Sequence, residues 1–124
     1  MILVDTSVWI DHFREGVPSL AETLSQNNVL IHAFVIGELA CGNLKARRET
    51  IKLLSNLPQA PKASDSEVMA FIESNRLMGK GIGFIDAHLL ASVALEADAK
   101  LWTRDKRLGQ TATKLKLSHE VVVN

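Results

Sequence analysis

Four acidic residues stand where chemistry could be done. Asp5 directly follows the apolar opening Met1-Ile2-Leu3-Val4, and Asp105 comes two residues after Leu101-Trp102-Thr103. If both apolar runs are strands of a parallel sheet, both acids fall at its carboxyl edge, where ligands bind in open α/β sheets. Glu38 interrupts the helical stripe Phe34, Val35, Cys41, and Asp86 heads the stripe continued by Leu89, Leu90 and Val93. A carboxylate on an apolar stripe is costly to bury without a partner. Two carboxylates about 5 Å apart repel by roughly 3 kcal/mol at an effective dielectric near 20. Four that converge must therefore take up protons or bind a divalent cation, and an all-oxygen donor set favours Mg²⁺ or Mn²⁺ over zinc. Such a site suits phosphoryl transfer. Read singly, Asp5, Asp86 and Asp105 are also plausible helix N-caps, and Glu38 could reach out from the edge of its stripe.

The elements that must carry these acids follow from periodicity and capping. Strands are expected at Met1 to Val4, Val29 to Ile31, Lys100 to Thr103 and Glu120 to Val123. Between them, helices are expected from Asp5 to about Arg14, after Pro18, over Phe34 to Gly42 and Ala46 to Asn56, from Ser64 to about Met78, over Asp86 to Ala97, and from Asp105 to Leu115. Ser19 with Glu22 and Ser64 with Glu67 have capping-box spacing. Lys80 to Phe84 reads as a loop. Strands alternating with helices imply an α/β fold, a parallel sheet flanked by helices on both faces.

Composition bounds the rest. The chain has 124 residues, 47% of them apolar and 23% charged, which is ordinary for one globular domain, here residues 1–124. No apolar run approaches the roughly 18 residues of a spanning helix, so no membrane is expected. No secretory signal is visible and the single Cys41 offers no disulfide, so the cytoplasm is the expected compartment. Cys41 itself reads as a small core residue. Aromatics are 5%, too few for a stacking platform along a single strand. Fourteen basic residues balance fourteen acidic ones, so with the four candidate acids set aside the remaining chain is cationic by four. An acidic pocket on a cationic surface suits a nucleic-acid backbone. Arg104, Lys106 and Arg107 flank Asp105 and are the candidate nucleic-acid contacts, whereas Lys114 and Lys116 read as a solvated helix face. His88, two residues from Asp86, reads as a surface or packing residue.

The segments Met1–Asp11, Gly37–Gly42, Asp86–Ala91 and Leu101–Asp105 resemble, in order, the four acidic motifs of PIN-domain proteins, a Rossmann-like fold, and the compact size resembles the VapC toxins of toxin–antitoxin pairs. The resemblance implies a Mg²⁺- or Mn²⁺-dependent endoribonuclease with Asp5, Glu38, Asp86 and Asp105 as the metal-binding catalytic quartet and Thr6 and Thr103 in support. It implies a structured RNA substrate such as tRNA or rRNA, a cognate antitoxin across the groove, and a homodimer. Leu108 departs from the Phe many relatives carry there. A housekeeping PIN-domain nuclease and a non-catalytic RNA- or protein-binding PIN module are the alternatives. A haloacid-dehalogenase-like phosphatase would need an acid where Ser7 stands, and a receiver domain would need an acidic pair before its first helix.

Overall fold

The computed structural model describes residues 1–121. Its elements in chain order are β1 (Ile2–Val4), α1 (Thr6–Glu15), α2 (Pro18–Ser25), β2 (Val29–Leu30), α3 (Ala33–Ala40), α4 (Arg47–Ser55), α5 (Asp65–Asn75), α6 (Phe84–Leu95), β3 (Lys100–Trp102) and α7 (Lys106–Lys114). The architecture is α/β with a wholly parallel sheet in the order β2-β1-β3. β1 is the central strand, with Ile2 opposite Val29 on one side and Lys100 on the other, and Val4 opposite Trp102. Ile2, Leu3 and Val4 are all buried, as a strand covered by helices on both faces requires.

Single-residue bridges from Ile31 to Gln59 and from Leu101 to Ser118 widen the sheet at its edges. The strand expected over Glu120 to Val123 is not found where it is described. Glu120 and Val121 have no strand structure, and Val122 and Val123 lie outside the described residues. The chain instead meets β3 earlier, at Ser118.

Local signals set most boundaries. Ser64 accepts a hydrogen bond from the Glu67 N–H while the Glu67 carboxylate accepts one from the Ser64 N–H, which closes the expected capping box at the start of α5. Ser19 and Glu22 form no such box. Pro18 occupies the first turn of α2 and Val17 is its N-cap, because proline is preorganised there and needs no donor. α6 begins at Phe84, two residues earlier than expected, and stops at Leu95, so Ala97 lies beyond it. Its residues from Ala87 to Val93 are all buried, which makes it the central helix. The main core joins the sheet to Val8, Trp9, Leu20, Val35, Leu89, Leu90 and Leu108. Leu108 is thus core packing, and its departure from Phe is absorbed there.

Candidate active site

Asp5 is buried at the end of β1, although a helix follows it immediately. Its carboxylate makes no capping hydrogen bond to α1. Oδ2 instead accepts hydrogen bonds from the Ser7 hydroxyl at 2.8 Å and the Thr103 hydroxyl at 2.7 Å. Each hydroxyl in turn accepts a backbone N–H: Arg104 donates to Ser7 at 2.9 Å and Asp105 donates to Thr103 at 3.0 Å. Both hydroxyl protons are therefore spent on Asp5, and the 3.3 Å approach of the two oxygens is a side-by-side contact. The Asp5 N–H donates to the Trp102 carbonyl at 2.9 Å, so backbone and side chains tie the ends of β1 and β3 together.

Asp105 follows at the head of α7. Its Oδ1 accepts the Leu108 N–H at 2.9 Å, so the N-cap reading holds for one oxygen and leaves Oδ2 for other work. Asp86 is the third residue of α6, and its Oδ2 accepts the Gly83 N–H at 3.1 Å. It is partly buried and its pKa is raised above the ordinary 3.8, first by burial and then by the charges of Asp5 and Asp105, against the lowering effect of the Gly83 hydrogen bond. Asp86 thus feels both other aspartates.

Glu38 takes the second of its two readings, at the edge of its stripe. It is exposed, because α3 turns Val35 and Leu39 into the core and leaves Glu38 at the rim. There its Oε1 accepts the Thr6 hydroxyl at 3.0 Å, which links it to the residue next to Asp5. Thr6 and Thr103 therefore both contact acids of the quartet. Ser7 was missed as a site residue; the only signal in the sequence was a hydroxyl two positions after the acid that ends the strand.

Among the described residues no three histidine, cysteine or acidic side chains stand close enough together to ligate one metal ion. The arrangement is open, with Glu38 on the rim and the aspartates held by protein donors. The donor set still fits a hard divalent cation, since it is all oxygen and Asp86 is already penalised by its neighbours' charges.

The flanking cations divide. The Arg104 guanidinium pairs with Asp11 at 2.7 Å. Arg107 lies across Gly81, where an added Cβ would stand 2.6 Å from Nη1 and 3.0 Å from Nε. Lys106 has no ion pair among the described residues, and Lys114, expected on a solvated face, lines a groove beside Asp105.

His88 is wholly buried, with Nε2 3.0 Å from Asp65 Oδ1 and its ring edge-on to Phe34 and Phe84 at 4.8 Å each. It is a packing residue, turned away from Asp86. Cys41 is exposed, which corrects the core expectation, because α3 ends at Ala40. Trp9 is buried and stacks on the half-exposed Phe13 at 5.7 Å.

Residues 2–114 match the family model described as PIN domain. Ribonuclease VapC32 from two strains of Mycobacterium tuberculosis is 50% identical to this chain over 108 residues, 87% of this chain and 87% of each relative.

Proposed function

The chain belongs to the PIN-domain family, and from that premise we propose that it is a Mg²⁺- or Mn²⁺-dependent endoribonuclease, the toxin of a toxin–antitoxin pair. The observation that carries the reading is the relay in which Thr103 binds Asp5 through its hydroxyl and receives the Asp105 N–H, beside an Asp86 burdened by both charges. Asp5, Glu38, Asp86 and Asp105 would hold the cation. When bound, a divalent ion supplies Lewis acidity toward a phosphodiester oxygen and toward water.

The chain's own groups do the positioning. Ser7 and Thr103 fix the Asp5 carboxylate from two sides, so its other oxygen keeps one direction. The Leu108 and Gly83 amides orient Asp105 and Asp86 in the same way. Thr6 keeps Glu38 at the rim, where it can close over a ligand. Asp86 gains from a cation, since neighbouring charge already opposes its ionisation.

The substrate of this reading is structured RNA, tRNA or rRNA, with Arg104, Lys106 and Arg107 near the phosphates. An antitoxin is its partner. An apolar cleft of about 270 Å³ lined by Ile10, Phe13, Leu39 and Leu44 runs up to Glu38, which suits an amphipathic segment that sets a cationic side chain among the acids. A homodimer belongs to the same reading, supported by the exposed Met78, Phe84 and Ile85. No helix among the described residues is long and apolar enough to cross a membrane. The test is cleavage of tRNA and rRNA with Mg²⁺, with Mn²⁺ and with chelator, by the parent and by Asp5→Asn. Cleavage that needs the ion and Asp5 supports the reading; RNA binding without cleavage under every ion makes the chain a non-catalytic module.

A further inference from the structure

The open groove beside Asp105 has a volume of about 690 Å³, and its walls carry Lys80, Arg104, Lys106, Arg107 and Lys114 against the single acid Asp105. Its lining also contains Thr103, so it opens directly onto the acidic site. Of the five cations Arg104 is paired with Asp11, and Arg107 lies over Gly81. Lys80, Lys106 and Lys114 have no carboxylate partner among the described residues.

Lys106, Gln110 and Lys114 all line the groove and succeed one another at four-residue intervals on α7. Four residues advance a helix by about 6 Å, so these three side chains form a row roughly 12 Å long. The opposite face of α7 is anchored by Leu108 and Ala112, which fixes the row outward. A row of that length meets several phosphates of one strand. No aromatic side chain lines the groove, and unpaired bases are gripped chiefly by stacking on aromatics. A double-helical stem instead turns its bases inward and presents phosphates and 2′-hydroxyls.

We propose that the groove along α7 is a subsite for the backbone of an RNA stem, held by Lys80, Lys106 and Lys114, which delivers the adjoining unpaired nucleotides to the four acids. The proposal rests on the ribonuclease reading above. It makes Asp105 the junction between stem and cleavage site.

The probes are a synthetic RNA hairpin with one helical turn of stem and the same loop sequence as a free single strand, both bound in chelator so that nothing is cut. The hairpin is expected to bind more tightly than the single strand. Replacing Lys80, Lys106 and Lys114 together with alanine should flatten the hairpin's log–log salt slope by about two to three units, at roughly 0.7 to 0.9 per phosphate contact. Single-strand binding should fall less, and hairpin binding by the control Arg48→Ala/Lys52→Ala on α4 should hold near parental. Unchanged thermal melting of the triple variant shows that the fold is intact. An unchanged hairpin slope, or equal losses for both RNAs or for the control, overturns the proposal. A parent that never cuts RNA but shows the groove-dependent hairpin slope removes the ribonuclease reading and leaves the subsite standing. Ion-dependent cutting with an unchanged slope removes the subsite alone.

Discussion

At Asp86, burial and the charges of Asp5 and Asp105 oppose ionisation, and the Gly83 amide favours it. The folded state therefore binds this proton more readily than the unfolded chain does. Ionised Asp86 costs stability at neutral pH, and that cost is relieved as pH falls through its raised folded value. Asp86→Asn keeps an acceptor for Gly83 and removes the charge. Chelator-treated Asp86→Asn should melt higher at pH 7, by about 1 kcal/mol in stability at an effective dielectric near 20. Added Mn²⁺ should raise its melting temperature less than the parent's, and cleavage should fall by orders of magnitude. A parental ion response with full cleavage removes Asp86 from the site. Thr103→Val tests the relay: it leaves Asp5 one donor short and the Asp105 N–H without its acceptor. The expected loss is about 1–3 kcal/mol in denaturant unfolding, with weaker Mn²⁺ binding. His32 acts in the opposite sense to Asp86. It is buried, its Nδ1 accepts the Phe34 N–H, and its pKa falls from 6.5 to about 4 through burial, then His88 and Lys62. Stability should drain away as pH drops from 6.5 toward 4, by up to about 3 kcal/mol from this group. His32→Asn retains a capping acceptor without that titration, so its unfolding midpoint should vary less across the window. Residue types at strand ends made Asp5 and Asp105 legible in the sequence. For Glu38 the sequence left burial and exposure both open, because a helical stripe says which side chains share a face and not where the core's edge runs.

Helix starts carry the site: α6 and α7 each present an acid within a turn of their N-termini, where amide groups are left over. The loop before α6 is pinned from the other helix, since Arg107 of α7 lies over Gly81, whose φ is +78°. Gly81→Ala must both strain the backbone and displace Arg107. A loss of more than about 1 kcal/mol is expected, with weaker Mn²⁺ binding because the Gly83 amide that holds Asp86 moves with the loop. Adding Arg107→Ala should recover part of the loss in a double-mutant cycle; strict additivity would mean that the two do not press on each other. The Ser64–Glu67 box was readable because both halves of its hydrogen bonding are local. The true start of α6 was less so. Gly83 has no side chain to signal an N-cap, and Asp86, which looked like the first residue, supplies only the returning half of a box. His88 was ambiguous for a related reason: its contacts with Phe34 and Asp65 come from α3 and α5, at distances no local pattern encodes.

Over the whole molecule, alternation of apolar runs and helical stripes was enough for a parallel α/β sheet, because each strand is read on both faces as core. The extent of the sheet was not, since edge pairing at Gln59 and Ser118 involves single polar residues without strand character. The surface is divided by the acids, with cations along α7 on one side and the apolar cleft at Ile10 and Phe13 on the other. If the proposed antitoxin docks there, changing both Ile10 and Phe13 to Asp should abolish its co-purification, with melting as the check on folding. Continued co-purification would place the partner elsewhere.

The hydrogen bond from Thr103 to Asp5 spans 98 residues of chain. Synthesis proceeds from the amino end, so Asp5 is made first and its fixing partners come after most of the folded chain. A half-made chain on the ribosome, itself built of structured RNA, has neither the β3 edge nor the fourth acid. The order of translation thus works as a safety catch: on the proposed reading, the acids first made wait unassembled until β3 and Asp105 have followed them.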